Sequence, residues 1–345
     1  MWFPTRIFKF LLLPLGLAAL PLKAEEVRFQ RSDQQMGTRF SILLYAKSEQ
    51  QAKSATDAAF ARIRQLNEIL SDYRPDSELS QLSRSGVAKK TVTVSEDLWA
   101  VLSRGQQLTR LTDGAFDMTL GPVTTLWRAA RQKRAFPDQR LLDQARQAIG
   151  AQHLVLSPAN RSICFQQPNM RLDLGGIAKG FALDQAMIAI KGEGITRALI
   201  DGGGDLLVSA PPPNSKGWRI GLTGLQDQQS PSKFVWLANR AIATSGDLRQ
   251  YVEINGVRYS HLIDPKTGVG LTNSSLVTVI APTAIDADAV ASAVSVLGPI
   301  DGFKLLKSQD GQEGRIVYRQ DGVPRLLMTS QFATLVDSRP LIEAD

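Results

Sequence analysis

Three pieces of one stretch decide the class of this chain: Ala241-Ile242-Ala243-Thr244-Ser245-Gly246-Asp247, Tyr259-Ser260-His261-Leu262-Ile263-Asp264-Pro265-Lys266-Thr267-Gly268 and Asp288-Ala289-Val290-Ala291-Ser292-Ala293. Tyr251-Val252-Glu253-Ile254 and Val257-Arg258-Tyr259-Ser260 flank Asn255-Gly256, the signature of a tight hairpin. Leu276 to Ile280 reads as an apolar strand and Ile285 to Leu297 as a helix. Strands and helices mix here without the regular alternation of a doubly wound sheet, which predicts an α+β fold. Small hydroxyl residues, glycines and carboxylates gather around His261, the residue types that bind a phosphate or a hard cation. A second such cluster, Leu172-Asp173-Leu174-Gly175-Gly176-Ile177-Ala178-Lys179-Gly180, lies far upstream. Two polar clusters inside apolar segments predict one site assembled by the fold.

Outward from these clusters the pattern continues. Arg39 to Tyr45 reads as a strand after Met36-Gly37-Thr38. Ala59, Phe60, Ile63, Leu66, Ile69 and Leu70 recur at helical spacing between Ala52 and Leu70. Ser95, followed by Glu96 and Asp97, caps a second helix that runs through Leu111. Ile177 to Lys191 reads as a helix entered from the Gly175-Gly176 turn, and Ala198-Leu199-Ile200 as a strand running into Gly202-Gly203-Gly204-Asp205. Asp321-Gly322 predicts a final hairpin.

The ends and the composition bound the function. Arg6 and Lys9 precede an apolar run from Phe10 to Leu22, and Ala24 offers a small residue before Glu25-Glu26, which predicts a secretory signal peptide over residues 1–24. The run is about a dozen residues long and contains Pro14 and Pro21, whereas a membrane span needs roughly 20. No cysteine follows it, which excludes a lipoprotein anchor, and no later segment reads as apolar enough to span a bilayer. The expectation is a soluble, periplasmic protein with no permanent membrane anchor, its remaining residues 25–345 forming one compact unit or two intimately packed lobes. Without Arg6, Lys9 and Lys23 the chain keeps 37 basic against 33 acidic residues, a mild +4. No dense basic run interleaved with aromatics is present, so no nucleic acid is expected. Cys164 is the single cysteine, expected to be buried in a strand, and two widely separated histidines with one cysteine make no zinc signature.

The chemistry-bearing residues allow more than one reading each. Asp288 and Ser292 are four apart on a predicted helix, so they share a face, among small residues that admit a close backbone. That pair suits Mg²⁺, and it is also ordinary helix geometry. The Gly175-Gly176 turn before a helix suits an anion. Lys179 in the first turn opposes the helix dipole, which points to a ligand phosphate or ribityl group as its partner. His261 is of the residue type that exchanges protons near neutral pH and is available as a base, with Asp264 placed to orient it, or packs as a plain structural residue. No phosphate-cradling Gly-x-x-x-x-Gly-Lys-Ser/Thr loop and no Gly-x-Ser-x-Gly nucleophile accompanies them.

Taken together, the motifs resemble the ApbE family of FAD:protein FMN transferases. The resemblance spans Met36-Gly37-Thr38, Leu70-Ser71-x-Tyr73 with Ser77-Glu78-Leu79-Ser80, Gly114-x-Phe116-Asp117-x-Thr119, Asp173 to Gly180, Gly202-Gly203-Gly204-Asp205, Ala243 to Asp247, His261 to Gly268 and Asp288 to Ala293. It implies Mg²⁺-dependent cleavage of FAD, transfer of FMN to a Ser or Thr hydroxyl of a partner flavoprotein, and release of AMP. By motif, Met36, Tyr73, Ala115, Phe116, Asp117, Asp173, Lys179 and Leu262 would contact FAD. Gly176, Asp288 and Ser292 would hold the metal, and His261, oriented by Asp264, would serve the transfer step. A carboxylate is the other available base. The family usually has threonine where this chain has Ser292, and often an aromatic and a proline where it has Val269-Gly270. A flavin carrier and a Mg²⁺-dependent FAD pyrophosphatase are the rival readings.

Overall fold

The structure is a computed structural model and describes residues 25–85, 88–224, 231, 233–246 and 250–337. The expected signal peptide, residues 1–24, and Asp247 of the Thr-Ser-Gly-Asp motif lie outside the described residues.

Alternation along the strands sets the architecture. In the strand Thr38–Ala46, Phe40, Ile42 and Leu44 are wholly buried on one face, while Leu43 and Tyr45 turn to the other. This strand belongs to an eight-stranded sheet made of β1 (Val27–Gln35), β2 (Thr38–Ala46), β3 (Arg197–Gly202), β4 (Asp205–Val208), β5 (Arg240–Gly246), β6 (Ser275–Ala281), β7 (Glu313–Gln320) and β8 (Val323–Met328). Spatial order follows chain order and every neighbour is antiparallel. Two-residue turns close two of its hairpins, Met36-Gly37 (φ 49° and 74°) and Asp321-Gly322 (φ 52° and 77°). Positive φ at both positions matches the right-handed twist of the strands they join.

Three helices cover one face of the sheet: α1 (Glu49–Leu70), α2 (Ala178–Gly192) and α3 (Ala284–Ser308). Ser48 caps α1, its hydroxyl accepting from Gln51 N–H at 3.2 Å. The other face carries a second apolar cluster around Val208, Ile242, Ile280 and Phe332, closed by a three-stranded sheet (Trp218–Gly221, Phe234–Leu237, Val336–Asp337) and the helix Ser330–Leu335. β6 is buried along its whole length because it is covered on both faces. The mixture of an antiparallel sheet with packed helices is the α+β architecture expected from the sequence.

Three expectations need correction here. α3 runs past Leu297: Gly298 takes φ 76°, ψ 179° and Pro299 follows, so the helix kinks and resumes to Ser308. By length and composition α3 is apolar enough to cross a membrane, contrary to the sequence reading, yet Ala287, Ala289, Val290, Ala293 and Val294 are buried in the core. Cys164 is half-buried, between the buried Ile163 and Phe165.

A third cluster lies to one side. The helices Gly121–Lys133 and Gln139–Gln147 pack on the hairpin Tyr251–Ile254/Val257–Ser260 around Trp127. Trp127 Nε1 donates to the Gly268 carbonyl at 2.8 Å, which ties the His261–Gly268 segment to this lobe.

Candidate active site

A cavity of about 850 Å³ opens where the first turns of α2 and α3 meet the ends of β4 and β5. Its wall includes Met36, Tyr73, Ala115, Phe116, Asp117 and Asp173 from the upstream motifs. It also includes Gly176, Lys179, His261, Leu262, Asp288 and Ser292. Asp264 is not among the lining residues.

At the deep end, α2 and α3 hold each other by their first turns. Asp184 of α2 accepts from the Ala284 and Ile285 N–H groups at 2.8 and 2.9 Å, capping α3. In return, Asp288 Oδ2 of α3 accepts from Gly180 N–H of α2 at 3.1 Å. Gly180 permits this approach: a Cβ there would stand 2.3 Å from the Ala284 carbonyl oxygen. Burial pushes the Asp184 carboxyl up to about 6 against the pull of its two backbone bonds. The Asp288 carboxyl is likewise pushed up to about 6 by burial, with Lys179 opposing and Asp205 adding to the rise.

Lys179 is met by this chain's own carboxylates. Its ammonium pairs with Asp205 and lies 3.7 Å from Asp288 Oδ2. Burial works against its charge, and Asp288 and Asp205 outweigh burial, holding the amine above its usual range. The first-turn cation therefore has partners without a ligand phosphate, which corrects the sequence argument. Asp205 in turn accepts from Thr244 N–H at 3.2 Å, joining the Gly203-Gly204 turn (φ 75° and 102°) to β5.

Gly176 lies against α3. A Cβ there would sit 3.1 Å from Ser292 Oγ and 3.5 Å from the Phe116 ring, so a side chain at this position would press on the Ser292 hydroxyl. The turn is closed by Asp173, whose Oδ1 accepts from Gly175 N–H at 2.8 Å. A carboxylate (Asp288), a hydroxyl (Ser292) and the backbone of Gly176 thus face one space, a set suited to a small hard cation that keeps other positions for ligand oxygens. Among the described residues no group of three or more His, Cys, Asp or Glu is placed to hold a metal.

Asp117 is half-buried beside Phe116, and its Oδ1 accepts from Thr119 N–H and Oγ1 at 2.8 and 2.7 Å. Burial raises its carboxyl while the Thr119 bonds oppose the rise. At the rim, His261 N–H donates to the Gln250 carbonyl at 3.0 Å, and Nδ1 lies 3.1 Å from the same oxygen. Asp264 does not orient the ring. Its two carboxylate oxygens accept from Lys266 N–H at 2.9 Å and Thr267 Oγ1 at 3.1 Å, and its carbonyl accepts from Gly268 N–H at 2.8 Å. Asp264 shapes its own turn, and the described Nδ1 partner is the Gln250 carbonyl.

Sequence reasoning missed Arg128, Asp72 and Asp184, all of which shape this site. Arg128 was findable: Pro122 followed by Val123, Leu126, Trp127 and Ala130 is a helix start with an apolar face.

The known proteins agree with the architecture. The ApbE family pattern matches residues 36–316. The FAD:protein FMN transferase of Vibrio cholerae is 30% identical over 313 residues, 89% of this chain and 92% of that protein. The one from Escherichia coli K12 is 32% identical over 258 residues, 73% of this chain and 72% of that protein. Among solved structures, the apo flavinyl transferase ApbE of Pseudomonas stutzeri superposes with a TM-score of 0.80 at 28% identity, covering 90% of this chain and 97% of that one. The flavin transferase ApbE of Vibrio cholerae gives 0.81 at 27% identity, with 90% and 99% covered. With the pattern running through both polar clusters and every lining motif between them, the chain belongs to the ApbE family and is a transferase of the flavin-transferase type.

Proposed function

We propose that this chain is an exported, Mg²⁺-dependent FAD:protein FMN transferase, moving FMN from FAD to a Ser or Thr hydroxyl of an exported or membrane flavoprotein and releasing AMP. The observation that carries this reading is the meeting, in one cavity, of the Asp288–Ser292 face of α3, the Gly175-Gly176 turn and His261. The cavity volume is of the order that encloses a large cofactor.

Asp288, Ser292 and the Gly176 carbonyl would hold Mg²⁺, which supplies charge neutralisation at a pyrophosphate when bound. The residues around it do the positioning on which phosphoryl transfer depends. Lys179 stays charged between Asp205 and Asp288 and keeps two carboxylates close together at the deep end. Phe116 and Tyr73 offer ring faces, and Asp117 and Asp173 offer carboxylate oxygens to the flavin and its ribityl chain. His261 works from the rim. The tautomer that donates Nδ1–H to the Gln250 carbonyl carries its lone pair on Nε2. That nitrogen takes the proton from the acceptor hydroxyl as its oxygen bonds to the FMN phosphorus, and the bond to AMP breaks. Export follows from the residue 1–24 pattern and makes the acceptor a periplasm-facing protein; the intact mass of the secreted protein should lack about two dozen residues.

The test is incubation with FAD, Mg²⁺ and an exported flavoprotein domain, followed by the intact mass of that domain. A gain of one FMN phosphoester with equimolar AMP is the expected result. AMP with an unmodified acceptor makes the protein a pyrophosphatase, and tight FAD binding with neither product makes it a carrier.

A further inference from the structure

Tyr73 is 73% exposed, yet one face of its ring is covered, because Arg128 Cζ lies 4.0 Å from the ring centroid. Arg128 projects from the helix Gly121–Lys133 and spends its guanidinium on this wall of the cavity. It donates to Asp72 Oδ2 and, at 3.2 Å, to Asp173 Oδ2. The other oxygen of Asp173 closes the turn that presents Gly176. One side chain therefore joins three separate segments: the Ser71–Arg74 loop, the Trp127 helix and the Asp173–Gly176 turn. Without it, Asp72 and Asp173 would face each other as two carboxylates; burial already raises the Asp72 carboxyl and Asp173 raises it further. Burial opposes the charge on Arg128, and Asp173 and Asp72 outweigh it. With Nη2 committed to both carboxylates and the guanidinium face to a ring, Arg128 is built to hold the wall in shape.

We infer that Arg128 is a positioning residue that fixes the Tyr73 ring in register with the Gly175-Gly176 turn, so that the wall meeting a flavin ring and the wall meeting its pyrophosphate act as one. This rests on FAD occupying the cavity. A lysine cannot reproduce it, because an ammonium that meets both carboxylates has no plane with which to back the Tyr73 ring.

The test is a double-mutant cycle on the mature protein, with FAD affinity read from flavin fluorescence and KM and kcat read separately. Arg128→Ala should weaken FAD binding about tenfold, with a smaller change in kcat, and Arg128→Lys should not restore it. Tyr73→Ala should cost FAD affinity in the wild-type background and little in the Arg128→Ala background. Should Arg128→Ala fold poorly, Asp72→Asn/Arg128→Gln removes the Arg128–Asp72 ion pair without leaving a buried carboxylate unpaired there and should show the same loss of Tyr73 coupling. Additive effects of Tyr73 and Arg128, or full rescue by lysine, overturn the inference alone. A wild-type protein that binds no FAD overturns both it and the functional reading.

Discussion

The deep end of the cavity and its rim are built on opposite principles. At the deep end, Asp184 and Asp288 each reach across to the first turn of the other's helix, and Lys179 sits between Asp205 and Asp288. Each of these four side chains is held by at least one partner from another element. At the rim, Tyr73 is mostly exposed on a loop, and His261 lies between a hairpin and a turn whose carboxylate serves the turn itself. The first arrangement fixes positions before any ligand arrives, as charge stabilisation requires. The second leaves a ring and an imidazole at the mouth, where a protein acceptor has to enter.

The largest expected effect tests the deep end. Asp288→Ala removes the proposed metal ligand, the acceptor for Gly180 N–H and one partner of Lys179. Turnover at saturating FAD should fall by at least about 10²–10³-fold. FAD affinity should fall far less, because ring contacts at the rim remain, and chelation of the metal from the wild type should mimic the variant. Normal turnover of Asp288→Ala at limiting Mg²⁺ would place the chemistry elsewhere.

His261→Ala tests the rim. FAD binding should be close to normal, while transfer slows by about 10²–10⁴-fold, the usual contribution of a positioned base. Asp264→Ala should slow transfer much less, because its carboxylate holds Lys266 and Thr267 rather than the imidazole. Equal losses in the two variants would restore Asp264 as the residue that orients His261.

The same contrast explains what was legible in the sequence. Turns that demand positive φ, such as Met36-Gly37, Asn255-Gly256 and Asp321-Gly322, announce themselves locally. So does α1, whose apolar period needs no partner to be seen. The motif residues could be assigned to one site because the family pattern carries them, and the cavity does gather them apart from Asp264. Pairings across the fold were not legible. Lys179 looked misplaced against a helix dipole because Asp205, 26 residues on, and Asp288, on a different helix, are brought to it only by the sheet and by α3. Asp264 looked like a partner for His261 because it is near in sequence, yet its own turn lies closer than the ring. The kink at Gly298-Pro299 read as a stop because neither residue favours a helix interior, while tertiary packing carries the segment on to Ser308.

Packing between α2 and α3 can be probed without touching any reactive group. Gly180→Ala places a methyl 2.3 Å from the Ala284 carbonyl oxygen, so the two first turns must separate. We expect a loss of about 1–3 kcal/mol in unfolding free energy, with turnover falling alongside. Gly192→Ala, at the far end of the same helix, meets nothing within 4 Å and should be neutral or slightly stabilising. Denaturant unfolding of the pair checks this. Equal stability of the two variants would show that α2 and α3 do not depend on close approach.

The smallest effect is expected from Asp184→Asn, and its sign depends on pH. An amide oxygen still accepts from one of the Ala284 and Ile285 N–H groups, so one of two capping bonds survives and the cost at neutral pH should be about 0.5–1.5 kcal/mol. Burial holds the wild-type carboxyl near 6, above its ordinary 3.8, so between these values the folded chain binds a proton there that the unfolded chain has released. That contribution to stability is complete below pH 3.8 and lost as the pH rises through about 6. The stability advantage of wild type over Asp184→Asn should therefore shrink as the pH is raised from about 4 to 7, even though the capping bonds favour the carboxylate. Because Asp184 does not line the cavity, FAD affinity should be the same for wild type and Asp184→Asn at each pH of the series. An advantage that instead grows with pH would mean that the two backbone bonds outweigh burial, with the carboxyl lying below 3.8 in the folded protein.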